Sequence, residues 1–255
     1  MKTIPITKLR NFYKSLSELR LSFETQLNIA KDFNRKENFG QLISMYKESK
    51  EHFALKYENV NEPFCSKSLR KFNPSNKDVI SKTQDVVSVF QTNNCKVKVI
   101  NDSNYDFNYI EREVSTFRTT NSVFETGLSG KSSGTGGIDF IGINTKDSLP
   151  ILGEIKVAGD QNAFYALIQL LTYLSEMSTP NQITRIIKSN LFSVNIKPAT
   201  SFYLYLVFTH FSGRKREILN EVIKLARNLA NADLQEIQEI VFLNIDKYTK
   251  EISKI

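Results

Sequence analysis

The stretch Gly136–Lys156, GGIDFIGINTKDSLPILGEIK, constrains the fold more than any other part of the chain. Two isoleucine-rich runs, IDFIGI and PILGEIKV, flank the polar turn Asn144-Thr145-Lys146-Asp147-Ser148. Apolar runs bounded by turn residues predict a β-hairpin. The hairpin carries charge in an apolar setting. Asp139 stands near the start of its first strand, and Glu154 and Lys156 stand near the end of its second. A period of two puts Glu154 and Lys156 on one face and Ile155 on the other. In an antiparallel pair the start of one strand lies beside the end of the next. Asp139 therefore meets Glu154 and Lys156 if it points to the same face.

Two carboxylates and an ammonium at one spot are costly unless something offsets them, because the carboxylates raise each other's pKa. A hard divalent cation such as Mg²⁺ or Mn²⁺ removes that conflict, since it takes oxygen ligands and one or two carboxylates suffice. A lysine beside it can hold an anion or a water. Such parts suit hydrolysis of a phosphodiester.

Asp139 followed by Glu154-Ile155-Lys156 across a short hairpin resembles the D…ExK core of the PD-(D/E)XK nuclease superfamily, the restriction-endonuclease-like fold. Gln169-Leu170-Leu171-Thr172-Tyr173, in the helix that follows, is similar to the QxxxY motif of its RecB-type members. The resemblance covers roughly residues 105–210. Ile138 stands where the motif carries proline. The resemblance implies a mixed central β-sheet flanked by helices and a metal-dependent nuclease. It implies that Asp139 and Glu154 hold Mg²⁺, with the Ile155 carbonyl as a further ligand. Lys156 then orients water or stabilises developing charge, and Gln169 positions substrate. An additional acid often comes from a helix before the first core strand. Glu111 in YIEREV is one candidate and Glu113 the other, with one turn of register deciding between them. DNA is expected ahead of RNA, in defence, restriction or repair. A catalytically silent module that keeps the fold and binds nucleic acid or protein is the alternative.

The chain has 255 residues and a formal charge of +7, with 34 Lys and Arg against 27 Asp and Glu. A basic chain tends to meet polyanions, nucleic acid first among them. An AT-rich coding composition accounts for the lysines as well. No apolar run reaches the ~20 residues of a membrane span. The start, MKTIPITKLRNF, lacks the apolar region of a signal peptide, so a cytoplasmic location and reduced thiols at Cys65 and Cys95 are expected. His52 and His210 make no zinc spacing with those cysteines.

Residues 1–75 read as a helical region and 76–255 as the nuclease-like domain. Leu9, Phe12, Leu16, Leu19, Phe23, Leu27 and Ala30 recur every three or four residues, and a second helix is expected over Phe39–Tyr57. These helices pack on the rest of the chain, on a second copy in a homodimer, or on a partner protein. Ser75 or Asn76 is expected to cap a helix to Phe90 that turns Val79, Val86, Val87 and Phe90 inward. A strand is expected over Cys95–Val99, a short helix over Asp102–Arg112 and a strand over Glu113–Thr119.

Five of the ten glycines fall between Thr126 and Gly137. They form a loop leading into the Asp139 strand, where Lys131 can contact a phosphate. Asp160 is expected to cap the helix to Met177, on which Tyr165, Gln169 and Tyr173 share a face. Tyr173 and Lys131 join Arg214, Lys215 and Arg216 as expected nucleic-acid contacts. Those last three open a helix to Ala230, and cations there oppose the helix dipole, which hints at an anion nearby. Phe202–Phe208 reads as a central strand and 239–245 as the last one.

Overall fold

A computed structural model describes residues 8–18, 22–58, 60, 63–64, 78–116, 137–157, 162–192, 196–197, 200–209 and 215–255. Lys131 and its glycine-rich loop, Cys65, Asp160, His210 and Arg214 lie outside them.

Three helices come first: α1 (Lys8–Glu18), α2 (Phe23–Phe33) and α3 (Lys36–Tyr57). The apolar stripe expected as one helix is cut in two, and Ser22 caps α2 by accepting from the Thr25 N–H. Then come α4 (Thr83–Phe90) and the strands β1 (Lys96–Val97), β2 (Phe107–Val114), β3 (Ile138–Asn144) and β4 (Pro150–Lys156). The chain continues through α5 (Ala163–Met177), α6 (Pro180–Ser189), β5 (Phe202–Thr209), α7 (Lys215–Ala230), β6 (Ile237–Ile245) and β7 (Ile252–Lys254). The fold is α/β, a mixed sheet flanked by helices, as expected.

The strands pair in sequence order in one sheet, curled into a half-barrel. The expected hairpin is present, with Ile141 opposite Leu152 and Ile143 opposite Pro150. β4, β5 and β6 run parallel, β5 beside both others, with α5 and α6 in the first crossover and α7 in the second. A parallel strand covered on both faces reads as a continuous apolar run, and β5, FYLYLVFT, is buried throughout. The curl brings the two edges together. The Ile100 N–H donates to the Ile252 carbonyl oxygen at 2.8 Å, across from β1 to β7.

Each face of the sheet has its own core. On the concave face Phe90 of α4 packs against Phe107 and Phe140 of β2 and β3, with ring centroids 5.3 and 5.0 Å away. On the other face α5 lies against the sheet, with α1 and α3 packed on α5 and α2 on α7. Leu9, Leu16, Leu27, Ala30 and Leu42 of the first three helices share one continuous apolar cluster with Leu167, Leu171 and Leu204. The N-terminal stripe is thus buried within the chain. A buried ion pair locks α1 to α5: Arg10 Nε and Nη2 donate to Glu176 Oε1 at 2.9 and 2.6 Å. Among the described residues no helix is long and apolar enough to cross a membrane.

Five local expectations need correction. Asp102–Arg112 is not a helix. Asp102 caps a single 3₁₀ turn, Ser103–Tyr105, and β2 starts at Phe107. Phe107 and Tyr109 alternate into the concave core with period 2, and aromatic residues fit a half-buried strand better than a helix. β2 then ends at Val114, and the rest of the expected strand, residues 117–119, lies outside the described residues. α4 starts at Thr83, and Asp85 accepts from the Ser81 and Lys82 N–H groups; Val79 is 40% exposed while Ile80 is buried. β1 begins after Cys95, because Asn93, Asn94 and Cys95 all take positive φ. Asn162, not Asp160, caps α5, accepting from the Tyr165 N–H at 2.9 Å.

Gly153 holds the hairpin's geometry at the level of the acids. A Cβ there would lie 2.0 Å from the Phe140 ring, beside Asp139 on one strand and Glu154 on the other. Gly153→Ala is expected to cost about 1–3 kcal/mol, because an inserted methyl forces the ring off its rotamer. A urea denaturation midpoint unchanged from wild type would contradict this packing.

Candidate active site

The hairpin delivers its charges to the carboxyl end of β4. Open parallel sheets bind ligands at that end, because the chain leaves each strand there into a loop or helix. Asp139, at the other strand's start, is brought to the same place. Its Oδ2 accepts from the Ile155 N–H at 2.8 Å, so the backbone of the ExK segment aims it. Ile155 enters the site through that N–H, and its side chain points into the concave core.

Glu154 and Lys156 share a face, as the strand period predicted. Lys156 Nζ lies 2.9 Å from Glu154 Oε1, and both residues are buried, at 5% and 2% exposure. The ammonium also donates to Gln169 Oε1 at 3.3 Å. It rests over the ring of Tyr165, 4.6 Å from the centroid. Tyr165 and Gln169, one helical turn apart on α5, thus both face Lys156. The helix face legible in the sequence is the wall of the site.

The electrostatics are those of crowded acids. Burial raises the Glu154 carboxyl well above its ordinary value, and neighbouring Asp139 raises it further, while Lys156 opposes both without cancelling them. Burial likewise raises Asp139, with Lys156, the Ile155 N–H and Glu154 pulling it down and Glu113 pushing it up. Glu154 Oε2 is buried and accepts no hydrogen bond. The neighbouring Asp139 carboxyl can offer it a proton when the pair holds one. A buried oxygen without a donor costs free energy, about 1–3 kcal/mol or more for a charged group.

The two candidates for the additional acid are placed differently. Glu113 lines the same pocket as Asp139, about 310 Å³ in volume, with Lys82, Thr83, Gln84 and Arg112 around it. Its φ is +51°, an uncommon backbone for glutamate and a form of strain that gathers at functional sites. Glu111 is buried opposite Ile141 on β2 and does not line that pocket. Both glutamates lie on β2, where a helix was expected before the first core strand. The deciding element is a strand, not a helix.

Tyr173 is 1% exposed, edge-on to Tyr13 of α1 at 6.3 Å, so it faces the protein interior. Lys215 is half-buried and Arg216 exposed at the start of α7, which follows the carboxyl end of β5 and so stands at the same end of the sheet as the acids. The sequence reading missed the contribution of α1. Tyr13 stacks on Tyr165 at 5.2 Å with 21° between the rings. Its sequence signal is only one aromatic in an amphipathic stripe, which reads as core.

The donors present are hard oxygens, one of them buried and unsatisfied, beside a cation. That set fits a divalent metal such as Mg²⁺ through Asp139 and Glu154. Among the described residues no group of three His, Cys, Asp or Glu side chains is arranged to hold a metal, so the protein offers two acids and leaves the remaining positions to backbone, water or substrate. No protein-family model, curated protein or solved structure matches this chain.

A carboxyl whose value is raised by folding contributes stability at low pH and loses it as the pH rises through the folded value. Asp139→Asn removes one such group, keeps an acceptor for the Ile155 N–H and brings a donor toward Glu154 Oε2. In EDTA the variant is expected to be more stable than wild type by about 1–2 kcal/mol, or about 2–4 °C in Tm. The gain is expected to grow as the pH rises above the ordinary carboxylate range, because folding raises both carboxyls and their stabilising protonation is lost as the pH climbs. Thermal unfolding by circular dichroism measures it; a variant less stable than wild type at the higher pH would contradict the crowding of the acids.

Proposed function

We propose that the protein is a divalent-metal-dependent nuclease that hydrolyses phosphodiester bonds, in DNA ahead of RNA. One observation carries the reading: Asp139, Glu154 and Lys156 converge at the carboxyl end of β4 with a buried Glu154 oxygen that lacks a donor. A stability-driven core does not assemble two repelling carboxylates unless a ligand offsets them. The acidic pair, the lysine and the opening toward Lys82 and Arg112 are the parts that hydrolysis of a phosphate ester needs.

Asp139 and Glu154 hold the cation, with the Ile155 carbonyl and Glu113 as further oxygens in reach of the site. When bound, Mg²⁺ or Mn²⁺ neutralises phosphate charge and acidifies water. The Ile155 N–H keeps Asp139 aimed. Lys156 places its ammonium where negative charge develops on the phosphate, and Gln169 fixes that ammonium's direction. Gln169 thus acts through Lys156. Lys215 and Arg216 supply phosphate-backbone contacts from α7, in register with the site because β5 parallels β4.

Supercoiled plasmid, single-stranded DNA and single-stranded RNA, each with Mg²⁺, Mn²⁺ or EDTA, test the activity. Cleavage is expected to need metal and to fall about 100-fold or more in Asp139→Ala and Lys156→Ala, the scale of losing one preorganised electrostatic contact. Lys215→Ala and Arg216→Ala are each expected to reduce the slope of log affinity against log salt by about 1 if each neutralises one phosphate. Tight binding with no cleavage in either metal would sink the enzyme and leave the catalytically silent binding module, which is favoured by the finding that, among the described residues, no third acid is arranged with Asp139 and Glu154 to hold a metal.

A further inference from the structure

The surroundings of Lys156 extend beyond the hairpin and the Gln169 helix. Its ammonium has Glu154 Oε1 on one side, Gln169 Oε1 on another and the face of Tyr165 on a third. The first two are hydrogen-bond acceptors that any mobile lysine can exchange for water. The third is a flat ring, and a ring holds a cation only while its face stays turned to it. Tyr165 is only partly buried and sits on the first turn of α5, two residues beyond its start. The contact with the ammonium therefore depends on what holds that ring's orientation.

Tyr13 supplies that constraint from α1. Its ring stacks on Tyr165 at 5.2 Å and meets Tyr173 edge-on at 6.3 Å. Burial, then Tyr173 and Tyr165, hold the Tyr13 hydroxyl protonated, and Glu154 acts in the same sense. α1 is itself clamped to α5 one turn before Tyr13 by the Arg10–Glu176 pair. The order is continuous: Arg10 docks the helix, Tyr13 fixes Tyr165, and Tyr165 faces the ammonium.

We propose that Tyr165, held by Tyr13 of the N-terminal helix, is a second positioning residue for Lys156 beside Gln169, so that α1 is part of the reaction apparatus. The proposal rests on the nuclease reading for its kinetic arm only. A ring that merely filled space would leave the direction of the ammonium unchanged when replaced by another apolar side chain.

The test uses the full chain with Tyr165→Phe, Tyr165→Leu and Tyr13→Leu. Removing the ring face is expected to lower kcat about tenfold in Tyr165→Leu, the scale of one partly desolvated cation–π contact, while KM stays within about threefold. Tyr165→Phe keeps the face and is expected to retain wild-type kcat. Tyr13→Leu is expected to fall between them. Mn²⁺ affinity by titration calorimetry is expected to stay within about twofold of wild type in all three, since no metal-holding acid is altered. A second readout is independent of cleavage: acetylation of Lys156 by acetic anhydride, followed by mass spectrometry. Lys156 is expected to be protected in wild type and Tyr165→Phe and to react about tenfold faster in Tyr165→Leu. Tyr165→Gln replaces Tyr165→Leu if circular dichroism shows the latter misfolded, with the same expectations.

Equal acetylation in wild type, Tyr165→Phe and Tyr165→Leu would overturn the positioning role. So would a Tyr165→Leu enzyme of unchanged kcat. A rise in kcat would overturn it too and make α1 a cover over the site. If wild type cleaves no nucleic acid, the nuclease reading fails while the acetylation arm still decides the positioning of Lys156.

Discussion

A buried ammonium held between a carboxylate, an amide and an aromatic face is the interaction around which this fold is arranged. Taking charges out of water is expensive, and their attraction offsets the cost only with good geometry and further hydrogen bonds. Lys156 meets both conditions. It has Glu154 beside it on the same strand face, Gln169 from α5 and the Tyr165 ring from one turn earlier. Each comes from the β4–α5 unit, so the crossover helix must lie across the end of its own strand. The parallel pairing of β4 with β5 and the burial of α5 follow from that placement.

Three turns further along the same face, α5 carries a second buried polar system. Glu176 accepts from Arg10 and from the Thr116 hydroxyl, while Gln182 donates to the Thr116 carbonyl oxygen at 2.6 Å and accepts from Arg185. Four separate segments, α1, the end of β2, α5 and α6, are tied together in this way. Such a network is worth little as net stability but demands one arrangement, because each partner left alone would be a buried unpaired group. It fixes α1 on α5 and so sets Tyr13 against Tyr165. The polar network and the candidate site are neighbours on one helix, which ties the N-terminal region structurally to the site it flanks.

Much of this was legible in the chain. The hairpin, the shared face of Glu154 and Lys156, the buried run of β5 and the common face of Tyr165 and Gln169 follow from periods of 2 and 3.6. These features are local, and burial reinforces them. The misreadings came where local and tertiary preferences disagreed. Asp102–Arg112 has polar residues at helix-like spacing, yet Phe107 and Tyr109 belong to the concave core and draw the segment into the sheet. Asp160 and Asn162 are both good caps, and nothing in composition separates them. Glu111 and Glu113 stand two positions apart on β2, and only the structure shows that Glu113 takes a positive φ and lines the pocket with Asp139.

The sequence by itself determined which residues are paired in periodicity: the two strands of the hairpin, the acid and lysine two apart, the glutamine and tyrosine four apart. It did so because backbone geometry repeats, and a repeat is written in the spacing of side chains. Only the tertiary structure decided what stands opposite those residues. Asp139 reaches Glu154 because the hairpin register aligns a strand's start with its partner's end. Tyr13 reaches Tyr165 across more than 150 residues because a buried ion pair docks one helix on another. No spacing encodes a contact of that kind, since the chain between the partners places no geometric limit on it.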